Sequence, residues 1–127
     1  MPDDFPTDVR QFIERHVESI VQLEALLLVR QDPAQQWNAE QLAKSLYISP
    51  EMSADLLSDL ARRGFLRDQA ASGAEFSYGP DEPTDGVIGR LASIYQERRV
   101  AVISLIYSKP VNKVQTFADA FRLRKET

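Results

Sequence analysis

Glu51, Asp55 and Asp59 recur at i, i+4 and i+8, which lines three carboxylates along one face of a helix. Carboxylates so placed can accept a hydrogen bond from the cytosine amino group or dock on a basic protein surface, and they repel a phosphate backbone. No Lys or Arg lies between Pro50 and Ala61. The basic side chains nearby are Lys44, Arg62, Arg63 and Arg67. Arg62 and Arg63 stand at the far end of that helix, where they complement its negative C-terminus or reach a phosphate. Near its start, Ser49, Glu51, Ser53, Ala54, Asp55 and Ser58 are the positions expected to face outward.

Other chemistries find little material. His16 is the single histidine and there is no cysteine, so no His- or thiolate-based metal site, no disulfide and no Ser/His/Asp triad can be assembled. His16, between Arg15 and Val17, is expected at a surface or an interface. The glycines include no phosphate-cradling loop, and the carboxylates show no paired acid/base pattern. The chain reads as a non-enzyme without cofactor or metal.

The charge is unevenly spread. Residues 1–85 carry 7 basic and 16 acidic side chains, whereas residues 86–127 carry 8 basic and 3 acidic ones. A polyanion would therefore meet the C-terminal third, where Arg98-Arg99 and the cluster Arg122, Arg124 and Lys125 stand. Alternatively the two parts attract each other, within one chain or across a dimer. The N-terminus is acidic and lacks a basic-then-apolar leader. The longest apolar runs, Ala25–Val29 and Val100–Tyr107, fall short of the roughly 18–20 residues that span a bilayer. A cytoplasmic protein with no membrane segment is expected.

The elements that position these groups follow from periodicity and capping. The N-terminal segment, 8–31, reads as one long helix from about Asp8 to Arg30, capped by Thr7 or Asp8. Its stripe is Phe12, Ile13, Val17, Ile20, Val21, Leu27 and Leu28, interrupted by Glu24. Asp32-Pro33 stops it. A second helix spans about Ala39 to Leu46, with Asn38 and Gln41 as a capping box. After the turn at Tyr47-Ile48, Ser49 caps a third helix with Pro50 at its first position. Leu56, Leu57 and Leu60 point inward, with Met52 or Ser53 completing that face. Gly64 ends the helix in a left-handed conformation. Phe65-Leu66-Arg67 and Glu75-Phe76-Ser77-Tyr78 read as two strands about a turn at Ala71–Ala74, with Trp37 packed at their base. The C-terminal helices, 84–123, comprise one from Thr84 or Asp85 to about Ser108 and a last segment from Val111 to Leu123. The first carries Val87, Ile88, Leu91, Ile94 and Tyr95; the second carries Val114, Phe117, Ala118 and Phe121. The chain is thus mainly α with a small β-wing. It reads as a single domain over 1–127 with its centre at 37–80.

The run Leu42-Ala43-x-x-Leu46-x-Ile48-Ser49, followed by Leu57-x-x-Leu60-x-x-x-Gly64-Phe65-Leu66, resembles the winged helix-turn-helix superfamily. The long flanking helices look like those of MarR-type transcription regulators or a protein-interaction relative. The resemblance implies sequence-specific binding of double-stranded DNA by the third helix, inserted by its N-terminus into the major groove. The wing would touch the backbone or minor groove, and the long helices would form a homodimer. The acidic stripe departs from that pattern, because duplex binding draws on Lys and Arg contacts to phosphate. Two readings therefore stand: a DNA-binding regulator, or an adaptor or regulatory subunit that docks a protein partner. The second would use the acidic helix and the basic C-terminal segment. Small-molecule sensing in a crevice between the long helices is compatible with the first.

Overall fold

Asn38 and Ser49 decide where the two central helices begin. The Asn38 side chain accepts from the Gln41 amide at 2.8 Å while Gln41 Oε1 accepts from the Asn38 amide at 3.1 Å, so two orphan N–H groups are satisfied reciprocally. Ser49 Oγ accepts from the Met52 amide at 3.1 Å, and Pro50 occupies the first turn. The computed structural model describes residues 5–68 and 74–108. Within them lie α1 (Thr7–His16), α2 (Ile20–Gln31), α3 (Ala39–Leu46), α4 (Pro50–Arg62), β1 (Leu66–Asp68), β2 (Phe76–Tyr78), α5 (Glu82–Glu97) and α6 (Arg99–Tyr107). Most of the turn at Ala71–Ala74, the segment from Val111 to Leu123 and the cluster Arg122, Arg124 and Lys125 lie outside the described residues.

The helix-turn-helix is as expected. α3 packs on α4, and both rest on α2. Leu42, Leu57 and Leu60 are fully buried between them, and each contributes about 1.5–3 kcal/mol by leaving water. Gly64, at φ +90°, turns the chain out of α4. The Phe65 amide donates to the Leu60 carbonyl and the Gly64 amide to the Ala61 carbonyl, both at 3.0 Å, which is the Schellman closure. β1 then pairs antiparallel with β2 in the register Leu66↔Tyr78, Arg67↔Ser77 and Asp68↔Phe76. Trp37 is buried and exchanges two backbone hydrogen bonds with Phe76, which anchors the wing to the start of α3.

The flanks differ from their sequence reading in four places. The N-terminal helix is broken: Val17 takes an extended conformation, and Ser19 caps a new helix by accepting from the Gln22 amide. Gln22 Oε1 in turn accepts from the Glu18 amide. Ser19-x-x-Gln22 has the pattern of a helix start, and it overrides the apolar stripe that runs across it. Neither Thr7 nor Asp8 caps α1, since its N-cap is Pro6 and no side chain closes it. α5 begins earlier than expected, at Glu82, because Asp81 accepts from the Thr84 amide and Pro83 fits the first turn. The C-terminal helix is also broken, at Arg98 (φ −132°), with no Gly or Pro present to mark the place. The break turns α6 back onto α1, where Val102, Leu105 and Ile106 are buried. α1, α5 and α6 pack on one another, and α2 joins them to the helix-turn-helix by packing on α3 and α4.

Candidate nucleic-acid interface

The exposed face of the helix-turn-helix is built from the α3–α4 turn and the first turns of α4. Ser49, Glu51, Ala54, Asp55 and Ser58 are exposed there, as is Lys44 on α3. Ser53 is not: it is fully buried, with an Oγ that makes no hydrogen bond to the protein. The α4 register corrects the expectation that Ser53 faces outward and selects Ser53 over Met52 as the residue that completes the inner face. Ser53, Leu57 and Leu60 stand at i, i+4 and i+7 and form the inner stripe, which sends Met52 out to 47% exposure. Leu56 is only partly buried at the edge of that stripe.

Two apolar side chains were missed at this surface. Tyr47 is 94% exposed and closes α3 in the left-handed region, with φ 57° and ψ 47°. Tyrosine carries no propensity for that conformation, which Gly or Asn normally fills. Nothing local in the sequence signals it. Met52 could have been placed outside from the spacing of Ser53, Leu57 and Leu60.

The acidic stripe is real as geometry and divided as chemistry. Asp59 is turned inward to a polar knot: Arg63 Nε donates to its Oδ2 at 2.8 Å, Arg62 pairs with its Oδ1, and Gln22 Nε2 reaches Oδ2 at 3.1 Å. Arg63 also donates to Glu18 Oε2 at 2.8 Å and approaches His16 Nδ1 at 3.3 Å. Burial pulls the Arg63 pKa down, but its hydrogen bonds to Asp59 and Glu18, and their charges, outweigh that and leave it raised. With its side chain only 15% exposed, Arg63 is a strut that ties the end of α4 to the α1–α2 break. It stands at the C-cap of α4, with its guanidinium bonded to Asp59 and Glu18. Arg62, whose side chain is 75% exposed, neutralises Asp59 from outside. His16 is likewise drawn in, its ring 5.2 Å from Phe12 and 5.1 Å from Phe65. Glu51 lies in the first turn of α4, where a carboxylate complements the helix dipole.

Arg67 is the one basic residue between Phe65 and Gly79. It is exposed on β1 opposite Ser77 and lies over Gly79, where an added Cβ would stand 2.6 Å from Arg67 Nε. The base of the wing is held from behind. The Tyr78 hydroxyl donates to Asp85 Oδ1 at 2.5 Å, and Arg30 Nε donates to the same oxygen at 3.2 Å. Burial, then the Asp85 hydrogen bond, pushes the Tyr78 pKa far above its ordinary value. The Tyr78 hydrogen bond, assisted by Arg30, holds Asp85 below the usual carboxylate range.

The basic residues described in the C-terminal third are engaged within the chain. Arg90 pairs with Asp8, Arg99 donates to Glu24 at 2.9 Å, and Arg98 lies 5.0 Å above the Phe5 ring. At Arg90 and Arg99 the attraction between the acidic and basic parts of the sequence is intramolecular. Arg99 also borders a cleft of about 580 Å³ between α2, α3 and α5, lined by Leu27, Leu28, Arg30, Leu46 and Tyr95. Among the described residues no group of three His, Asp or Glu side chains could hold a metal. No described helix is long and apolar enough to cross a membrane.

No protein-family model matches this chain, and no curated protein matches it at a significant level. Solved structures do match. MepR, a transcription regulator of the Staphylococcus aureus multidrug efflux pump MepA, superposes with a TM-score of 0.53 at 15% identity, over 93% of this chain and 86% of MepR. A MarR family transcriptional regulator from Streptomyces coelicolor gives a TM-score of 0.55 at 14% identity, over 93% and 81%. A Mycobacterium tuberculosis protein gives 0.50 at 13% identity, over 89% and 78%. At these identities the likeness is one of fold. The chain has the winged helix-turn-helix fold in a MarR-like arrangement, with helices flanking the module on both sides.

Proposed function

We propose that this chain is a DNA-binding transcription regulator, working in the cytoplasm as one winged-helix domain and as a homodimer. α4 enters the major groove by its N-terminal end, and the wing lies on the backbone. The observation that carries this reading is the fate of Asp59. Its charge is spent on Arg62 and Arg63, which leaves two exposed carboxylates on α4 in place of three. The contact set is then Lys44, Ser49, Glu51, Ala54, Asp55 and Arg67. Ser53 leaves it because it is buried, and Arg62 and Arg63 because they hold Asp59.

The competing reading, a winged-helix adaptor that docks a protein, draws support from a different observation. Tyr47 and Met52 are both exposed near the start of α4, beside Glu51 and Asp55. An apolar, acidic surface suits a basic protein partner better than a phosphate backbone.

Fluorescence anisotropy against pooled short fragments of the source genome, at about 50 and 200 mM salt, separates the two. A dimer using Lys44 and Arg67 from each protomer makes roughly four phosphate contacts, so its affinity falls on the order of a hundredfold across that interval. Binding with that slope supports the regulator. No binding at low salt refutes it and leaves the adaptor, to be pursued by reversing the charge of Asp55. Light scattering tests the dimer, and a monomer at micromolar concentration would overturn that part.

A further inference from the structure

Arg67 supplies the cation between Phe65 and Gly79, and the bed on which it lies is anchored outside the wing. Its β1 neighbour Leu66 pairs with Tyr78, and Arg67 rests across Gly79, the residue after Tyr78. The position of Tyr78 therefore sets the bed on which Arg67 lies. Tyr78 is in turn fixed by a group outside the wing, Asp85 on the first turns of α5, through the hydroxyl–carboxylate contact at 2.5 Å. Asp85 is fixed by Arg30 near the end of α2. A two-stranded sheet of three residues per strand has little intrinsic stiffness, so its angle is determined by what grips its base.

We propose that Asp85 is a wing-positioning residue, which through Tyr78 sets the angle of the wing on α5 and so aims the Arg67 guanidinium at a phosphate. Resting on the DNA-binding reading, the assignment gives α5 a role that no direct contact with a duplex would reveal. Arg30 braces Asp85 from α2, so α2 and α5 add a side-chain grip on Tyr78 to the backbone bridge between Trp37 and Phe76.

Tyr78→Phe is the test, since it keeps the ring and removes only the hydroxyl; Asp85→Asn repeats the test from the other side. DNA affinity is measured against salt for the wild type, Tyr78→Phe, Arg67→Ala and the double variant, and amide exchange is followed in β1 and β2. Tyr78→Phe is expected to weaken binding three- to tenfold and to lower the log–log salt slope by roughly 1 for each wing. In the Arg67→Ala background it is expected to change neither. Loss of stability alone would not move the slope. An unchanged slope, or losses that add in the double variant, overturns the proposal. If the wild type binds no fragment, the DNA reading fails on its own, and amide exchange then decides the wing assignment. Faster exchange of β1 and β2 in Tyr78→Phe supports it, and wild-type exchange overturns it.

Discussion

Replacing Ser53 by alanine should stabilise this protein. Ser53 is fully buried in α4 between the exposed Met52 and Ala54, and its hydroxyl makes no hydrogen bond to the protein. An unpaired buried hydroxyl costs about 1–3 kcal/mol. Alanine also favours the helix by up to about 0.5 kcal/mol over serine. The void left by one oxygen is smaller than a methyl group and returns less than about 1 kcal/mol. The net expectation is a gain of roughly 1–2 kcal/mol, which for a chain of this length raises Tm by roughly 3–8 °C. Thermal unfolding followed by circular dichroism reads it directly. DNA or partner binding should not change, because the side chain does not reach the surface. The companion substitution Ser53→Arg would drive an unpaired cation into the core and should prevent folding altogether. A lower Tm for Ser53→Ala, or a folded Ser53→Arg protein with altered binding, would refute the register assigned to α4.

Three further outcomes follow from the same geometry. Tyr47→Gly should raise stability by about 0.5–1 kcal/mol by relieving the left-handed backbone, while weakening whatever ligand touches that ring; titration of both quantities on one variant checks the pair. Arg63→Met should cost about 1–3 kcal/mol in urea unfolding, since it strips a hydrogen-bonded cation from Asp59 at the seam of α4 with the α1–α2 break; its Glu18 contact adds little, because that carboxylate is mostly exposed. Stability should also bend at both ends of the pH range. Asp85 has its pKa lowered from 3.8, so its contribution is present above that value and lost as pH falls through the folded pKa. Tyr78 has its pKa raised from 10.0, so its contribution is present below that value and lost as pH rises above it. Asp85→Asn should flatten the acid limb and Tyr78→Phe the alkaline one in a series of unfolding curves; limbs unchanged in both variants would show that the contact does not form.

What was legible in the sequence was local. Asn38 with Gln41, Ser49 with Pro50, and Gly64 each satisfy backbone groups within four residues of themselves, so α3, α4 and the turn into the wing could be placed from the chain alone. The two helix breaks escaped for opposite reasons. Ser19 and Gln22 did carry a signal, but an apolar stripe crossing them favoured one long helix. The break at Arg98 carries none: Glu97, Arg98 and Arg99 are ordinary helix formers, and the bend exists because α6 buries its apolar residues against α1. For Ser53 the sequence leaves two places open, the inner face of α4 or its outward positions, and only the packed register of Leu57 and Leu60 decides for the inner one.

The same distinction governs the candidate site. Spacing shows which residues share a helix face, but not whether that face is free, and the partners that engage Asp59 include Gln22, 37 residues away. With Asp59 accounted for by that knot, and Glu51 by the helix dipole, Asp55 is left as the exposed carboxylate that no described residue pairs. Its charge therefore discriminates between the two readings. Asp55→Asn removes one negative charge from the helix that would enter the groove and keeps a side chain able to hydrogen-bond a base edge. A DNA-binding regulator should then hold non-specific DNA about three- to tenfold more tightly at low salt, because a like charge facing phosphate has gone. An adaptor that docks a basic protein should lose partner affinity by a similar factor, as one arm of its complementarity is removed. Indifference on both counts would mean that the exposed end of α4 is not the contact surface, and the search would move to the cleft beside Arg99.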